Sequence, residues 1–362
     1  GRISALLVLL VLLVFIAGYI WLRQSQPQLE GNVATTTVSL PVSVYRDADG
    51  VPTIQAANRL DASYALGYLH AQERFFQMDL LRRSGAGELS EILGDATLEF
   101  DRKRRRHRFR HRSGQAEGVF SDDELAIASA YTKGVNEGLS ALGAAPFEYA
   151  LLGVEPEVWT NTDSMLVVYA MYFDLQDSDN RYERNYGLMY DIMGKEFAEF
   201  LVPKGTSWDA PVDGGALSPI PFPAGEPLAV REPNLARTAR LPVDEVLPGS
   251  NNWVVSGSLT ETGAAIVADD MHLGLGVPNI WYRVRLLIDE TGTDITGVTL
   301  PGGPVIVVGS NTHVAWGVTN SRTDTQDVVV LGWVGEASGV FQTRGGRASI
   351  ACMSEAVCGS SG

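Results

Sequence analysis

Cysteine is nearly absent: Cys352 and Cys358 are the two in 362 residues. They could pair in an oxidising compartment, but a disulfide scaffold is excluded by number. Positive charge is also short, with 28 Lys and Arg against 43 Asp and Glu and a formal net charge of −15. Nucleic acid is therefore a poor main partner, because phosphate binding wants a basic surface. No G-x-S-x-G elbow surrounds Ser250, which argues against an α/β-hydrolase serine. The sequence opens on Gly1 rather than Met and closes on CGSSG, so a fragment at both ends is expected. Apolar residues are not lacking. At 45% hydrophobic and 20% charged, the chain can bury a sizeable core.

One apolar run stands out. Ile3 to Leu22 reads ISALLVLLVLLVFIAGYIWL, without a charge, between Arg2 and Arg23. Twenty helical residues cross about 30 Å of hydrocarbon. A cleaved signal has a shorter apolar core and an A-x-A-like site, whereas Gln, Ser and Pro follow here. An uncleaved signal anchor is expected, with Tyr19 and Trp21 in an interfacial belt and everything after residue 30 outside the cytoplasm.

The rest divides into four stretches. Residues 24–39 are polar and read as a tether. Residues 40–202 are mainly helical after an opening strand–turn–strand, VYRDADGVPTIQA, from Val44 to Ala56. Leu60 to Arg83 has helical spacing, with Asp61 as a candidate cap and Gly85 and Gly87 as breakers. Helical patterns continue over Asp122–Leu142 and Ser164–Met193. The basic run DRKRRRHRFRHR, Asp101 to Arg112, reads as a solvated helix face, with an anionic surface as the competing use. Residues 203–249 are rich in Pro and Gly and lack periodicity, as a linker or removable spacer would. Residues 250–362 hold short apolar runs, among them NWVVS, AAIVA, WYRVRLLI and VIVVG. Turn residues separate them, which predicts an antiparallel sheet of hairpins. Periodicity alone gives an α+β chain.

The seam between spacer and sheet reads LPGSNNWVVSG, Leu247 to Gly257. If the bond between Gly249 and Ser250 opens, Ser250 carries a hydroxyl and a free α-amine on one residue. Such an amine has an ordinary pKa of about 7.7–8.0, so it is partly neutral near pH 7.5 and can accept the hydroxyl proton. The same hydroxyl could cut the chain by attacking the Gly249 carbonyl, since Gly tolerates strained backbone angles. Two other readings start from an uncut chain. One is a hydrolase using Ser250, His272 and Asp269 or Asp270. The other is a non-catalytic, membrane-tethered binding protein.

GSNNWVVSG resembles the start of the catalytic β-chain in the penicillin amidase family of N-terminal nucleophile hydrolases. Four further segments are similar to motifs of that family, in the same order: DADGVPTI, ALGYLHAQERFFQMDLLRRSGAGELSEILG, DDMHLG and NTHVAWGVTNSRTDTQD. The resemblance covers roughly residues 40–335. It implies an αββα sandwich, two antiparallel sheets between helices, incomplete here and preceded by one transmembrane helix. It implies a precursor that splits itself into two pieces that stay together. It further implies a hydrolase cutting an acyl amide, such as a β-lactam side chain or an N-acyl homoserine lactone, through an ester on Ser250. By the same resemblance His272 contacts and orients Ser250, although Met271 replaces the family's usual Pro before it. Asn320 supplies one backbone N–H of the oxyanion hole, and a second donor lies beyond residue 362. Met171 and Phe173 line an acyl pocket, and Asp324 and Asp327, with Glu183, hold a structural calcium ion.

Overall fold

The computed structural model describes residues 2–176, 179–203, 205–206, 214–215, 217–224, 249–320, 327–335, 339–343, 345–350, 354 and 357. Cys352, Cys358 and Asp324 lie outside them. The chain falls into two compact units, one of residues 1–175, 248–320 and 354–362, the other of residues 176–247 and 321–353.

In the first unit, α1 (Arg2–Gln24) precedes a hairpin of β1 (Ser43–Arg46) and β2 (Pro52–Ala56). Seven helices follow: α2 (Arg59–Ala86), α3 (Ser90–Leu93), α4 (Leu98–Arg105), α5 (Phe109–Glu117), α6 (Asp122–Ser140), α7 (Phe147–Leu152) and α8 (Asn161–Leu175). The second unit holds α9 (Arg181–Met193) and α10 (Lys195–Leu201). Beyond the seam, the first unit continues with β3 (Gly249–Val255), β4 (Ile266–His272), β5 (Tyr282–Ile288), β6 (Thr293–Thr299), β7 (Ile306–Ser310) and β8 (Ala315–Trp316). The second unit closes with β9 (Gly332–Trp333), β10 (Val340–Thr343) and β11 (Gly346–Ser349), an antiparallel three-stranded sheet. The chain is thus mixed α+β.

α1 is long and apolar enough to cross a membrane and has no buried residues. The segment behind it is not a loose tether. The Gln24 carbonyl accepts from the Ala144 N–H at 3.1 Å, and the Gln28 N–H donates to Gln72 Oε1 at 2.8 Å. The Thr35 and Thr37 hydroxyls donate to Glu137 of α6 at 2.9 and 2.5 Å. Ser39 donates its N–H and hydroxyl to Asp61 at 2.9 and 2.7 Å. Polar side chains that looked solvated in sequence find fixed partners on α2 and α6.

α2 is buried nearly all round, and its starting cap is Asn58, whose side chain accepts from the Asp61 N–H. Asp61, read from sequence as the cap, is used by Ser39 and Leu40 instead. Of the two expected breakers only Gly87 ends the helix, in the left-handed region at φ 73°. Gly85 stays helical and lies against α8, where a Cβ would come 2.3 Å from the Leu166 carbonyl oxygen. On the other side of α2, a Cβ on Gly134 of α6 would lie 2.0 Å from the Tyr64 carbonyl oxygen. The missing side chain is what lets the two helix backbones touch.

Charge is buried where these helices meet. Asp79 accepts from Arg82 and Arg83 Nε at 2.7 and 2.9 Å and from the Tyr149 hydroxyl at 2.7 Å. Asp163 of α8 takes Arg82 at 2.9 Å and Arg110 at 2.6 Å. Burial pushes the Asp163 carboxyl up, but the two guanidiniums outweigh it and hold it below the usual carboxylate range. The basic run is therefore not a plain solvated face. Asp101 is fully buried, Arg105 bonds the Gly87 carbonyl at 2.8 Å, and Arg110 pairs with Glu88.

The first unit's main sheet runs β1-β2-β5-β6-β7-β8. Its pairs are antiparallel, as the hairpin pattern predicts, except β2–β5, which is parallel with Thr53 opposite Arg285. One strand from before the seam thus lies between β1 and a strand from after it. β3 and β4 form a separate two-stranded sheet. The residues over Ser164–Met193 are two helices, not one, and β6 was missed from sequence because Thr, Asp and Gly interrupt its apolar residues.

A buried relay joins α2, α6 and the sheet. The Gly302 N–H donates to the Tyr131 hydroxyl at 3.0 Å, and that oxygen lies 2.7 Å from His70 Nδ1. His70 Nε2 lies 2.9 Å from Thr299 Oγ1, which donates on to the Tyr282 carbonyl at 3.3 Å. The Tyr131 hydroxyl has one proton and gives it to Nδ1, so Nε2–H must donate to Thr299. A second ring proton would have no acceptor. Burial, with Arg74 adding to it, drops the His70 pKa to about 3.

Two measurements check this packing. Gly134→Ala should destabilise the full-length protein by about 1–3 kcal/mol in denaturant unfolding, the usual size of overpacking; an unchanged midpoint contradicts the close contact. His70 binds no proton in the fold between pH 6.5 and about 3, while the unfolded chain does. Unfolding free energy should therefore fall as pH drops below 6.5, by up to ~1.4 kcal/mol per pH unit from this group. His70→Gln should lose that share of the slope.

Candidate active site

Ser250 is the second residue of β3, opposite Met271 of β4. Asn251, Trp253 and Val255 alternate with Asn252 and Val254 along the strand, as a pleat requires. The segment after β8 lies against the face that carries Ser250 and Asn252. There, a Cβ on Gly317 would come within 2.6 Å of Asn252 Nδ2 and 2.8 Å of Asp269 Cβ. This contact brings residues 317–320 to the strand. The Asn320 N–H donates to Ser250 Oγ at 2.9 Å. The Asn320 side chain is held in turn, its Nδ2 donating to the Leu175 carbonyl at the end of α8 at 2.8 Å. Ser250 and Asn320, paired on sequence grounds, are therefore together.

His272 is not with them. It stands opposite Gly249 in the β3–β4 register, so the pleat puts its ring on the other face from the Ser250 hydroxyl. Its Nε2 lies 2.8 Å from Asp270 Oδ2 and 3.3 Å from Asn251 Nδ2. One ring nitrogen cannot donate to the carboxylate and accept from the amide at once, and the shorter, charged contact wins. The expected contact with Ser250 is replaced by one with Gly249: a Cβ there would sit 3.1 Å from His272 Nδ1. The same geometry leaves the triad of Ser250, His272 and an Asp unassembled, since the His272–Asp270 pair faces away from the hydroxyl. Asp269 does share the Ser250 face. Its carboxyl oxygens are buried without a completed hydrogen bond among the described residues. Burial lifts its pKa, the Val318 N–H works against this, and the Asp270 charge adds to it.

Next to this strand pair is a cleft of about 350 Å³ lined by Met171, Asp174, Leu273, Gly274 and Ile280. Met171, which the resemblance puts in an acyl pocket, lines this cleft. Phe173 is not in the lining: its ring is buried against Phe109 and His107, with centroids 4.9 Å away in each case, and the Arg104 guanidinium lies 3.6 Å above it. Residues three apart on a helix share a face and residues two apart do not, so Asp174 accompanies Met171 and Phe173 turns away. The resemblance picked out Met171, and a helical count of three from it could have found Asp174.

The metal expectation fares differently. Glu183 is half-buried on α9, Asp327 is exposed, and Asp324 is outside the described residues. Among the described residues no group of three or more His, Cys, Asp or Glu could hold a metal ion.

Residues 41–356 match the family described as penicillin amidase. A penicillin acylase 2 proenzyme from Pseudomonas sp. (strain SE83) is 32% identical over 323 residues, covering 85% of this chain and 40% of the relative. An acyl-homoserine lactone acylase, QuiP, from Pseudomonas aeruginosa is 30% identical over 313 residues, covering 84% of this chain and 36% of the relative. The chain thus spans about two fifths of the length of these relatives. A solved thermostable penicillin G acylase from Alcaligenes faecalis is 27% identical with a TM-score of 0.39, covering 51% of this chain and 98% of that one. With its match over 316 of 362 residues, the chain belongs to the penicillin amidase family.

Proposed function

We propose that this chain is the N-terminal part of a self-processing amidohydrolase whose nucleophile is the Ser250 hydroxyl and whose base is the Ser250 α-amine. The observation that carries the reading is the hydrogen bond from the Asn320 N–H to Ser250 Oγ at 2.9 Å. It holds one backbone donor at the proposed nucleophile, in a family whose named relatives are acylases.

In the first reaction Ser250 Oγ attacks the Gly249 carbonyl carbon. The Gly249–Ser250 C–N bond breaks, an ester takes its place, and the Ser250 nitrogen leaves as an amine. Water hydrolyses the ester, leaving a Gly249 carboxylate. In the second reaction the free amine accepts the hydroxyl proton and Oγ attacks the substrate's amide carbonyl. The Asn320 N–H stabilises the oxyanion, a kind of contact typically worth about 2.7–4 kcal/mol. The departing amine takes the proton, and water releases the acyl group as a carboxylic acid. β-Lactam side-chain amides and N-acyl homoserine lactones fit this chemistry, and the largely apolar cleft next to the end of β4 suits an acyl group. His272 acts beside Gly249, on the cut side of the bond, with Asp270 fixing its ring.

The fold follows the same reading. β3–β4 would seed the second of two stacked sheets, and the parallel β2–β5 pairing would hold the two pieces together after the cut. α1 would anchor the protein in a membrane, with the enzyme on the extracytoplasmic side.

The full-length protein should yield a piece that begins SNNWVV, and Ser250→Ala should give one uncut chain; an equally cut Ser250→Ala chain assigns scission to an outside protease and defeats the reading. Asn320→Ala removes the tie to Leu175 and lets the donor drift. It should slow turnover by about tenfold or more at saturating amide, since small misplacements of a preset donor are costly; unchanged kcat contradicts the role of that tie.

A further inference from the structure

The cleft next to the end of β4 is apolar except at one place. Met171, Leu273 and Ile280 give it three apolar side chains, Gly274 adds backbone, and Asp174 is the one charged residue of the lining. Asp174 lines the cleft and is exposed. The cleft belongs to the site by two routes. Leu175, next to Asp174, carries the carbonyl that holds Asn320, which in turn holds Ser250 Oγ. Leu273 follows His272, which stands opposite Gly249.

We infer that Asp174 sets the acyl selectivity of this site, which takes an acyl group that is apolar along its length and carries a positive charge or a hydrogen-bond donor where it meets Asp174. The inference rests on the Ser250 reading above. A carboxylate accepts hydrogen bonds only, so an ammonium or hydroxyl on the acyl chain gains a partner there. A carboxylate-ended chain brings like charge to a partly apolar cleft and is rejected. Surrounding protein already raises the Asp174 pKa by desolvation, and Arg104 opposes this with its charge. Arg104 itself is stacked between Phe100 and Phe173, with its guanidinium 4.6 and 3.6 Å from their centroids.

The test compares full-length wild type with Asp174→Asn and Asp174→Glu. The substrates are acyl amides of one leaving amine and equal chain length, ending in methyl, ammonium or carboxylate. Wild type should prefer ammonium over carboxylate ends by about tenfold or more in kcat/KM, the size of one charge-assisted hydrogen bond. Asp174→Asn should bring that ratio close to one, and Asp174→Glu should keep it above one. Hydrolysis of the methyl-ended amide with equal ammonium and carboxylate rates in wild type overturns the inference alone. A carboxylate preference also overturns it, because Arg104 would then govern the cleft. If wild type hydrolyses none of the three, the inference falls together with the acylase reading of Ser250.

Discussion

A backbone N–H from Asn320 reaching the Ser250 hydroxyl fixes three segments at once. It ties β3 to the loop after β8, and through the Asn320 side chain it ties both to the end of α8. The contact depends on Gly317, whose absent side chain lets the loop lie flat on Asn252 and Asp269. It depends also on α8 staying in place, which the close backbone approach at Gly85 and the Asp79–Arg82–Asp163 charges secure. A hydroxyl gains nothing as a nucleophile from one hydrogen bond. What it gains is a fixed address beside a donor.

The main sheet explains how a cut chain could remain one body. β2 pairs in parallel with β5, across the spacer. The His70 relay adds a second bridge, since Tyr131 and His70 come from before the seam and Thr299, Tyr282 and Gly302 from after it. These buried polar groups bond in one consistent sense from Tyr131 to the Tyr282 carbonyl, an arrangement that favours one packing over near neighbours. No covalent link between the halves is needed for such an interface to persist.

Much of this was legible in the sequence because it is periodic or local. The apolar run of α1, the helical spacing of α2 and α6, and the hairpins after Ser250 all depend on neighbouring residues. Ser250 and Asn320 were found through motifs whose order matched a family. What was misread depends on partners far along the chain. Asp61 looked like a cap but serves Ser39 and Leu40, and the basic run looked solvated but finds Gly87, Glu88 and Asp163. The tether looked free because Glu137 and Gln72 lie far away in sequence. Phe173 was expected in an acyl pocket and His272 against Ser250, and each lies on another face of its element. In both cases counting residues along the element separates the pairs, Met171 with Asp174 and His272 with Gly249.

The central claim is that one residue provides both the attacking oxygen and the proton acceptor. It is tested most directly by mass analysis of the full-length protein stopped during turnover of a slow acyl amide. The account predicts an acyl group on the side-chain oxygen of an N-terminal Ser250, with the α-amine of that residue free. An acyl group on any other residue, or active protein in which the Ser250 nitrogen is still joined to Gly249, would contradict it.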